Sequence, residues 1–222
     1  DPRDWKNTRL MLNFGSNPAE TTLREMKLML EAKDQGMKLV QISVNYDSTA
    51  AKADEWIPIE AATDGALAMS MLHIIFREGL HDIPYLTYST VGPLLVRLDT
   101  GKFLRGNDIS PELDKELYVV WDSTSNGPAP MPPHVHALPG LEPVLDGKFE
   151  VNGIACATSF NLLVAEAEKF PPEEAARITG VPAERIESLA LEYATTKPSV
   201  VRVGVGMTRY YYGDLTSRAL YT

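Results

Sequence analysis

The sequence predicts an α/β fold: a Rossmann-like, mainly parallel sheet with helices on both faces and an irregular loop and hairpin excursion. Three observations predict it. Two short apolar runs, Leu10–Phe14 and Lys38–Val44, are separated by a polar turn, an amphipathic stretch and a glycine, which is the pattern of a βαβ unit. A third run, Ser199–Gly204, ends on Gly204-Val205-Gly206 and leads again into a helical stretch, so the strand, glycine turn, helix theme returns near the end. Between them lies an irregular excursion from about Gly92 to Ile154, whose stretch Ser123–Pro143 is dense in Pro, Gly and Ser.

The elements follow in order. Leu10–Phe14 stops at Gly15-Ser16-Asn17-Pro18, and a helix is expected from about Glu20 to Asp34, with Leu23, Met26 and Leu30 on one face. Gln35-Gly36 breaks it before the second strand. Trp56-Ile57-Pro58-Ile59 reads as a short buried strand. Gly65–Phe76 is apolar almost all round and predicts a buried helix with Thr63 or Asp64 as its N-cap. A short helix is expected over Asp82–Thr90. In the excursion, Asp99-Thr100-Gly101 predicts a hairpin turn, Tyr118–Asp122 a strand, Ser123–Pro143 a loop, and Asp146-Gly147 the turn of a small hairpin over Val144–Ile154. Helices are expected over Ser159–Lys169, Pro171–Thr179 with Gly180 as cap, and Pro182–Thr195 with Ile186, Leu189, Ala190 and Tyr193 on one face. The domain reading is therefore a βαβ half over 1–91, an excursion over 92–158, and the remainder of the same α/β domain over 159–222.

Composition excludes several classes. Apolar content of 44% and charged content of 23% are ordinary for a globular chain. A net charge of −9 argues against nucleic acid as a partner. No apolar stretch reaches the ~18 residues of a membrane span, and the polar opening Asp1–Trp5 is no signal peptide. The lone Cys156 excludes an internal disulfide and reads as a small buried residue. The chain begins without Met and stops inside a helical stretch, as an excised piece of a longer protein would.

In a βαβ unit ligands bind at the carboxyl ends of the strands. Those ends carry Gly15-Ser16-Asn17-Pro18 and Asn45-Tyr46-Asp47-Ser48-Thr49, polar loops suited to phosphate and ribose groups. A three-glycine nicotinamide fingerprint is absent, because only Gly15 falls in place. Asp64 has two compatible readings: a helix cap, or a carboxylate accepting from a guanine ring edge. His134 and His136 have the His-x-His spacing of some metal sites but no third ligand nearby. His73 reads as a core histidine. The segment Glu173–Tyr193 resembles a helix-turn-helix, giving a non-enzymatic binding module as the alternative, although Glu184, Glu187 and Glu192 against Arg185 alone would repel phosphates. No Ser/His/Asp set, carboxylate metal cluster or nucleophile elbow can be assembled. The residues alone reach a nucleotide-binding α/β piece without its own catalytic machinery.

A family resemblance goes further. Phe14-Gly15-Ser16-Asn17-Pro18-Ala19-Glu20-Thr21, Ala53-Asp54-Glu55-Trp56-Ile57-Pro58-Ile59, Thr63-Asp64-Gly65-Ala66-Leu67, Thr179–Ile186 and Gly204-Val205-Gly206 with Arg218-Ala219 resemble, in order, segments of the molybdopterin oxidoreductases of the dimethyl sulfoxide reductase family. Pro93–Arg105 is similar to the branch with ethylbenzene dehydrogenase and the perchlorate, chlorate and selenate reductases. The resemblance implies an internal fragment of a catalytic subunit that binds molybdopterin guanine dinucleotide, with molybdenum or tungsten. It implies that Gly15, Ser16, Asn17 and Thr21 approach phosphates, that Asn45 sits at a ribose and that Asp64 reads the guanine. It implies oxygen-atom transfer or hydroxylation by the full-length protein, and as partners the remainder of that subunit and an iron–sulfur electron-transfer subunit. The fragment alone is expected to be inactive and to hold no cofactor or metal. The family's Arg-Pro-Gly before Thr-Asp is here Glu60-Ala61-Ala62, and the Pro that often follows its second strand is Val44.

Overall fold

The computed structural model describes residues 1–133 and 138–221, so the His134 and His136 pair lies outside the described residues. In chain order the elements are β1 (Leu10–Phe14), α1 (Pro18–Thr21), α2 (Leu23–Asp34), β2 (Lys38–Ser43), β3 (Glu55–Pro58) and α3 (Asp64–Arg77). There follow α4 (Ile83–Ser89), β4 (Leu95–Arg97), α5 (Gly106–Ile109), β5 (Tyr118–Asp122), β6 (Gly127–Met131), β7 (Lys148–Val151), β8 (Ile154–Thr158) and α6 (Ser159–Ala167). The chain closes with α7 (Pro172–Thr179), α8 (Ala183–Thr195), β9 (Ser199–Val203), α9 (Val205–Thr208) and α10 (Gly213–Tyr221). These form two compact units, Asp1–Leu80 with Ala167–Thr222, and His81–Glu166.

The first unit is built on a parallel sheet of order β3-β2-β1-β9. β1 and β2 read as mainly apolar runs, interrupted by Asn13 and Gln41, because each is buried on both faces. Leu10, Leu12, Phe14, Val40 and Ile42 face one core, closed by Leu67 and Ile74 of α3, Ala175 of α7, and Ile186 and Leu189 of α8. Met11 and Leu39 face a second core under α2, closed by Met26, Met29 and Ala32. Each fully buried side chain of this size contributes about 1.5–3 kcal/mol, so the two layers hold the sheet from both sides.

One helix face differs from expectation. Thr22, with φ −139°, separates α1 from α2, and the buried stripe is Met26, Met29 and Ala32. Leu23 and Leu30 are exposed instead. Met26 belongs to both possible stripes, and the break at Thr22 sets which one turns to the sheet. His73 is half-buried rather than a core residue. The α7–α8 pair turns at Gly180 with φ +75°, but it packs on the first core and is no free recognition module. Arg185 of α8 is held by both carboxylate oxygens of Glu55, at 2.5 and 2.7 Å.

The second unit carries an antiparallel sheet of order β4-β8-β7 and a ribbon of β5 and β6, linked by isolated bridges between Leu94 and Val120 and between Arg105 and Tyr118. The expected turn at Asp99-Thr100-Gly101 is present: Arg97 N–H donates to Lys102 O, and Gly101 sits at φ +67°. The region expected to be all loop contains β6. Its prolines, Pro128 and Pro130, are two residues apart, so both missing donors fall on the same edge of a two-stranded ribbon, where none is needed. The small hairpin turns at Asn152-Gly153, not at Asp146-Gly147. Asn152 (φ +49°) and Gly153 (φ +77°) supply the two left-handed residues that a two-residue hairpin turn requires. Cys156 is buried here, and burial pushes its thiol above the usual range.

Candidate functional site

β2 and β3 lie on one side of β1, and β9 lies on the other. The chain leaving β1 and the chain leaving β9 therefore diverge from adjacent strand ends. That is a topological switch point, the place where an open parallel sheet leaves a crevice. A cavity of about 300 Å³ occupies it, lined from β1's turn by Gly15, Ser16 and Asn17, and from β2's loop by Ser43, Asn45 and Asp47. Asp64 at the start of α3, with Gly206, Met207 and Tyr210 after β9, completes the wall.

Three glycines allow the two diverging chains to meet. A Cβ on Gly204 would stand 2.4 Å from the carbonyl oxygen of Gly15 and 2.3 Å from Ser16 Cβ. One on Gly206 would stand 2.6 Å from the same carbonyl. Gly15 itself takes φ +55°, and a Cβ there would lie 2.4 Å from Met207 Cγ. The approach of Gly204 and Gly206 to the Gly15 carbonyl is backbone on backbone, which only glycine permits.

The two loops are stitched together by a threonine that sequence reasoning did not single out. Thr49 Oγ1 donates to Asn17 Oδ1 at 2.7 Å and accepts from Ala19 N–H at 3.0 Å. Asp47 Oδ1 accepts from the N–H groups of Thr49 (2.9 Å) and Ala50 (2.8 Å), so this carboxylate shapes its own loop. Asn45 is held by its backbone, its carbonyl accepting from Ser43 Oγ at 2.9 Å, and its exposed side chain bonds no other described residue. Thr21 does not line the cavity; its hydroxyl donates to Asn17 O at 2.8 Å and closes the turn from behind. Of the six residues expected from the sequence, five share the cavity wall.

Asp64 stands apart in its chemistry. It is 4% exposed and is the first residue of α3, not the cap. Thr63 occupies the cap position, with its hydroxyl turned to donate to Glu60 O at 2.7 Å. The Asp64 carboxylate has no cation and no hydrogen bond from another described residue; burial raises its pKa, opposed only by its own backbone N–H. A buried carboxylate of this kind, lining a cavity, has acceptor capacity left for a ligand.

A family model described as molybdopterin oxidoreductase matches residues 2–222. The chain belongs to that family. Among curated relatives, it is 34% identical to the perchlorate reductase subunit alpha of Dechloromonas aromatica over 98% of this chain and 27% of that protein. It is 32% identical to the dimethylsulfide dehydrogenase subunit alpha of Rhodovulum sulfidophilum, over 97% of this chain and 24% of that protein. The chain thus spans about a quarter of the length of the curated relatives it matches. Acetylene hydratase from Pelobacter acetylenicus shares the fold, with a TM-score of 0.57 at 17% identity over 95% of this chain and 20% of that one.

Membership of the molybdopterin oxidoreductases implies a molybdopterin cofactor, and the cavity can be tested against one. The unpartnered Asp64 carboxylate suits ring N–H donors, and the glycine-lined turn at Gly15 suits a backbone approach to phosphate. The residues fit. The signals that sequence reading passed over were Asn13 and Gln41, polar residues set inside buried strands, and the Gly204-Val205-Gly206 pair, noted as a turn but not as a wall.

Proposed function

We propose that this chain is the part of a molybdenum or tungsten oxidoreductase catalytic subunit that holds one guanine dinucleotide end of molybdopterin guanine dinucleotide. In this reading Gly15, Ser16 and Asn17 approach the phosphates, with Thr21 bracing their turn. Asn45 meets a ribose, and Asp64 accepts from the guanine ring N–H groups. The metal–pterin end of the cofactor supplies the redox chemistry, and the chain contributes binding and orientation. The full-length protein then carries out oxygen-atom transfer or hydroxylation, assembled with the remainder of its subunit and an iron–sulfur electron-transfer subunit.

The observation that carries the reading is the buried, unpartnered Asp64 carboxylate on the wall of a cavity at the sheet's switch point. The test is Asp64→Asn in the intact catalytic subunit, with metal content and GMP released by acid as readouts. Asn keeps the shape but loses the charge and sets a donor against a donor, so occupancy should fall at least about tenfold. Normal metal and GMP content in the variant would overturn the assignment.

A further inference from the structure

The cavity poses an electrostatic problem for an anionic ligand. Its lining holds two carboxylates, Asp47 and Asp64, and among the described residues no lysine or arginine. The whole chain carries −9. A nearby cation exists, but it is partly buried and does not line the cavity.

Arg202 on β9 stands in register with Asn13 on β1, which stands in register with Gln41 on β2. The three form a polar row across neighbouring strands, just short of their carboxyl ends, each flanked along its own strand by apolar residues. Asn13 and Gln41 are fully buried and bonded to each other at 2.5 Å. Both donate to one acceptor, the carbonyl of Ser16, at 3.0 Å from Asn13 Nδ2 and 2.9 Å from Gln41 Nε2. Arg202 Nη1 donates to Asn13 Oδ1 at 3.0 Å and to the Ser16 hydroxyl oxygen at 2.6 Å. Its Nε donates to Glu25 at 3.0 Å, and its Nη2 reaches Glu25 and Thr22. The fork is thus fully engaged.

With its oxygen accepting from a guanidinium, Ser16 keeps its own proton, and no described residue accepts that proton. We infer that Arg202 is a positioning residue acting through Ser16: it fixes the Ser16 rotamer and polarises its O–H, making it a charge-assisted donor aimed at anionic oxygen, of the phosphate or pyrophosphate class. Glu25 neutralises Arg202, so the positive charge is passed to the cavity as a directed donor rather than as an open field. Asn13 and Gln41 hold the same residue's carbonyl, which leaves the turn little freedom. The inference rests on the cavity being a nucleotide site, as proposed above.

The experiment is a double-mutant cycle of Ser16→Ala and Arg202→Gln in the intact, cofactor-free catalytic subunit. Glu25→Gln is the common background, so that no carboxylate is left uncompensated. The probes are GDP and guanosine, titrated calorimetrically. Each single change should weaken GDP about tenfold or more, the pair should be no worse than either alone, and guanosine affinity should stay level. Additive losses, or equal losses for guanosine and GDP, would overturn the relay while leaving the cavity assignment in place. A background protein that binds neither probe would overturn both. If the Arg202→Gln variant does not fold, Ser16→Ala alone decides: selective loss of GDP supports the donor role, and equal loss of guanosine removes it.

Discussion

Two aspartates of nearly equal burial behave in opposite ways. Asp64, 4% exposed, opens onto the cavity of the first unit with no partner among the described residues beyond its own backbone, and burial holds its carboxyl above the usual range. Asp122, 5% exposed, ends β5 in the second unit. The Ser125 side chain and the N–H groups of Glu142, Ser125 and Thr124 hold its carboxyl at about 2. The backbone bonds measure 2.9 Å from Glu142, 2.8 Å from Ser125 and 3.3 Å from Thr124. Asp122 uses its acceptors to fold a turn. Asp64 keeps them unused at some cost to stability, and under the proposed function that difference separates a structural acid from a binding one.

The contrast is broken most severely by filling the cavity's backbone contact. Gly204→Ala would drive a Cβ to 2.4 Å from the Gly15 carbonyl, and backbone cannot give way as a side-chain tip can. The expected loss is at or above the ~1–3 kcal/mol of an overpacked core, read by denaturant unfolding, with cofactor content lost alongside. Wild-type stability with wild-type loading would mean the two strand ends do not meet as described.

Titration should sharpen the contrast by giving opposite signs. Asp122 has a lowered folded pKa, so its contribution is complete above its ordinary 3.8 and is lost as pH falls through about 2. Asp122→Ala should therefore lower the melting temperature by several degrees at pH 7, with the gap closing in acid. Asp64 has a raised folded pKa, so its ionised form costs stability at neutral pH, and that cost disappears as the folded state takes up its proton on the way down to 3.8. Asp64→Asn should accordingly raise the melting temperature of the cofactor-free protein at pH 7, with no advantage remaining below about pH 3.8. Two variants shifting in the same direction at pH 7 would erase the distinction between the two acids.

The smallest effect lies just ahead of Asp64. Ala62 adopts φ +67°, a left-handed conformation that disfavours a side chain, at the position where the resembling family motif carries glycine. Ala62→Gly should relieve on the order of 1 kcal/mol, seen as a small rise in melting temperature with Asp64 still in place. A fall would show that the approach to α3 is not strained.

Much of this was legible because strands buried on both faces announce themselves. Leu10–Phe14 and Leu39–Ile42 had to be central and parallel, and the turns leaving them had to be polar. Gly15, Ser16, Asn17, Asn45 and Asp64 are local to those turns or to the start of the next apolar helix, so the cavity wall they share was legible from the strand-end loops and from the family resemblance. The misread elements were those whose partner lies elsewhere. The β6 prolines make sense only against β5. The buried stripe of α2 is settled by Thr22 and the sheet beneath it. The hairpin turn went to Asn152-Gly153 because two consecutive left-handed residues were available there and the register of β7 on β8 required them.

By itself the sequence determined the parallel core, the order of elements, the polar loops at the strand ends and the family, because each is written in local period or in short contiguous motifs. Tertiary structure alone decided that Gly204 and Gly206 close on Gly15, that Thr49 ties the two loops, and that Arg202, Asn13 and Gln41 converge on Ser16. Arg202 and Asn13 alone are 189 positions apart, and only the register of neighbouring strands brings such residues to one end of the sheet. Whether a polar residue in a buried strand is a flaw or a support depends on what stands beside it, and that neighbour is set by the sheet, not by the chain.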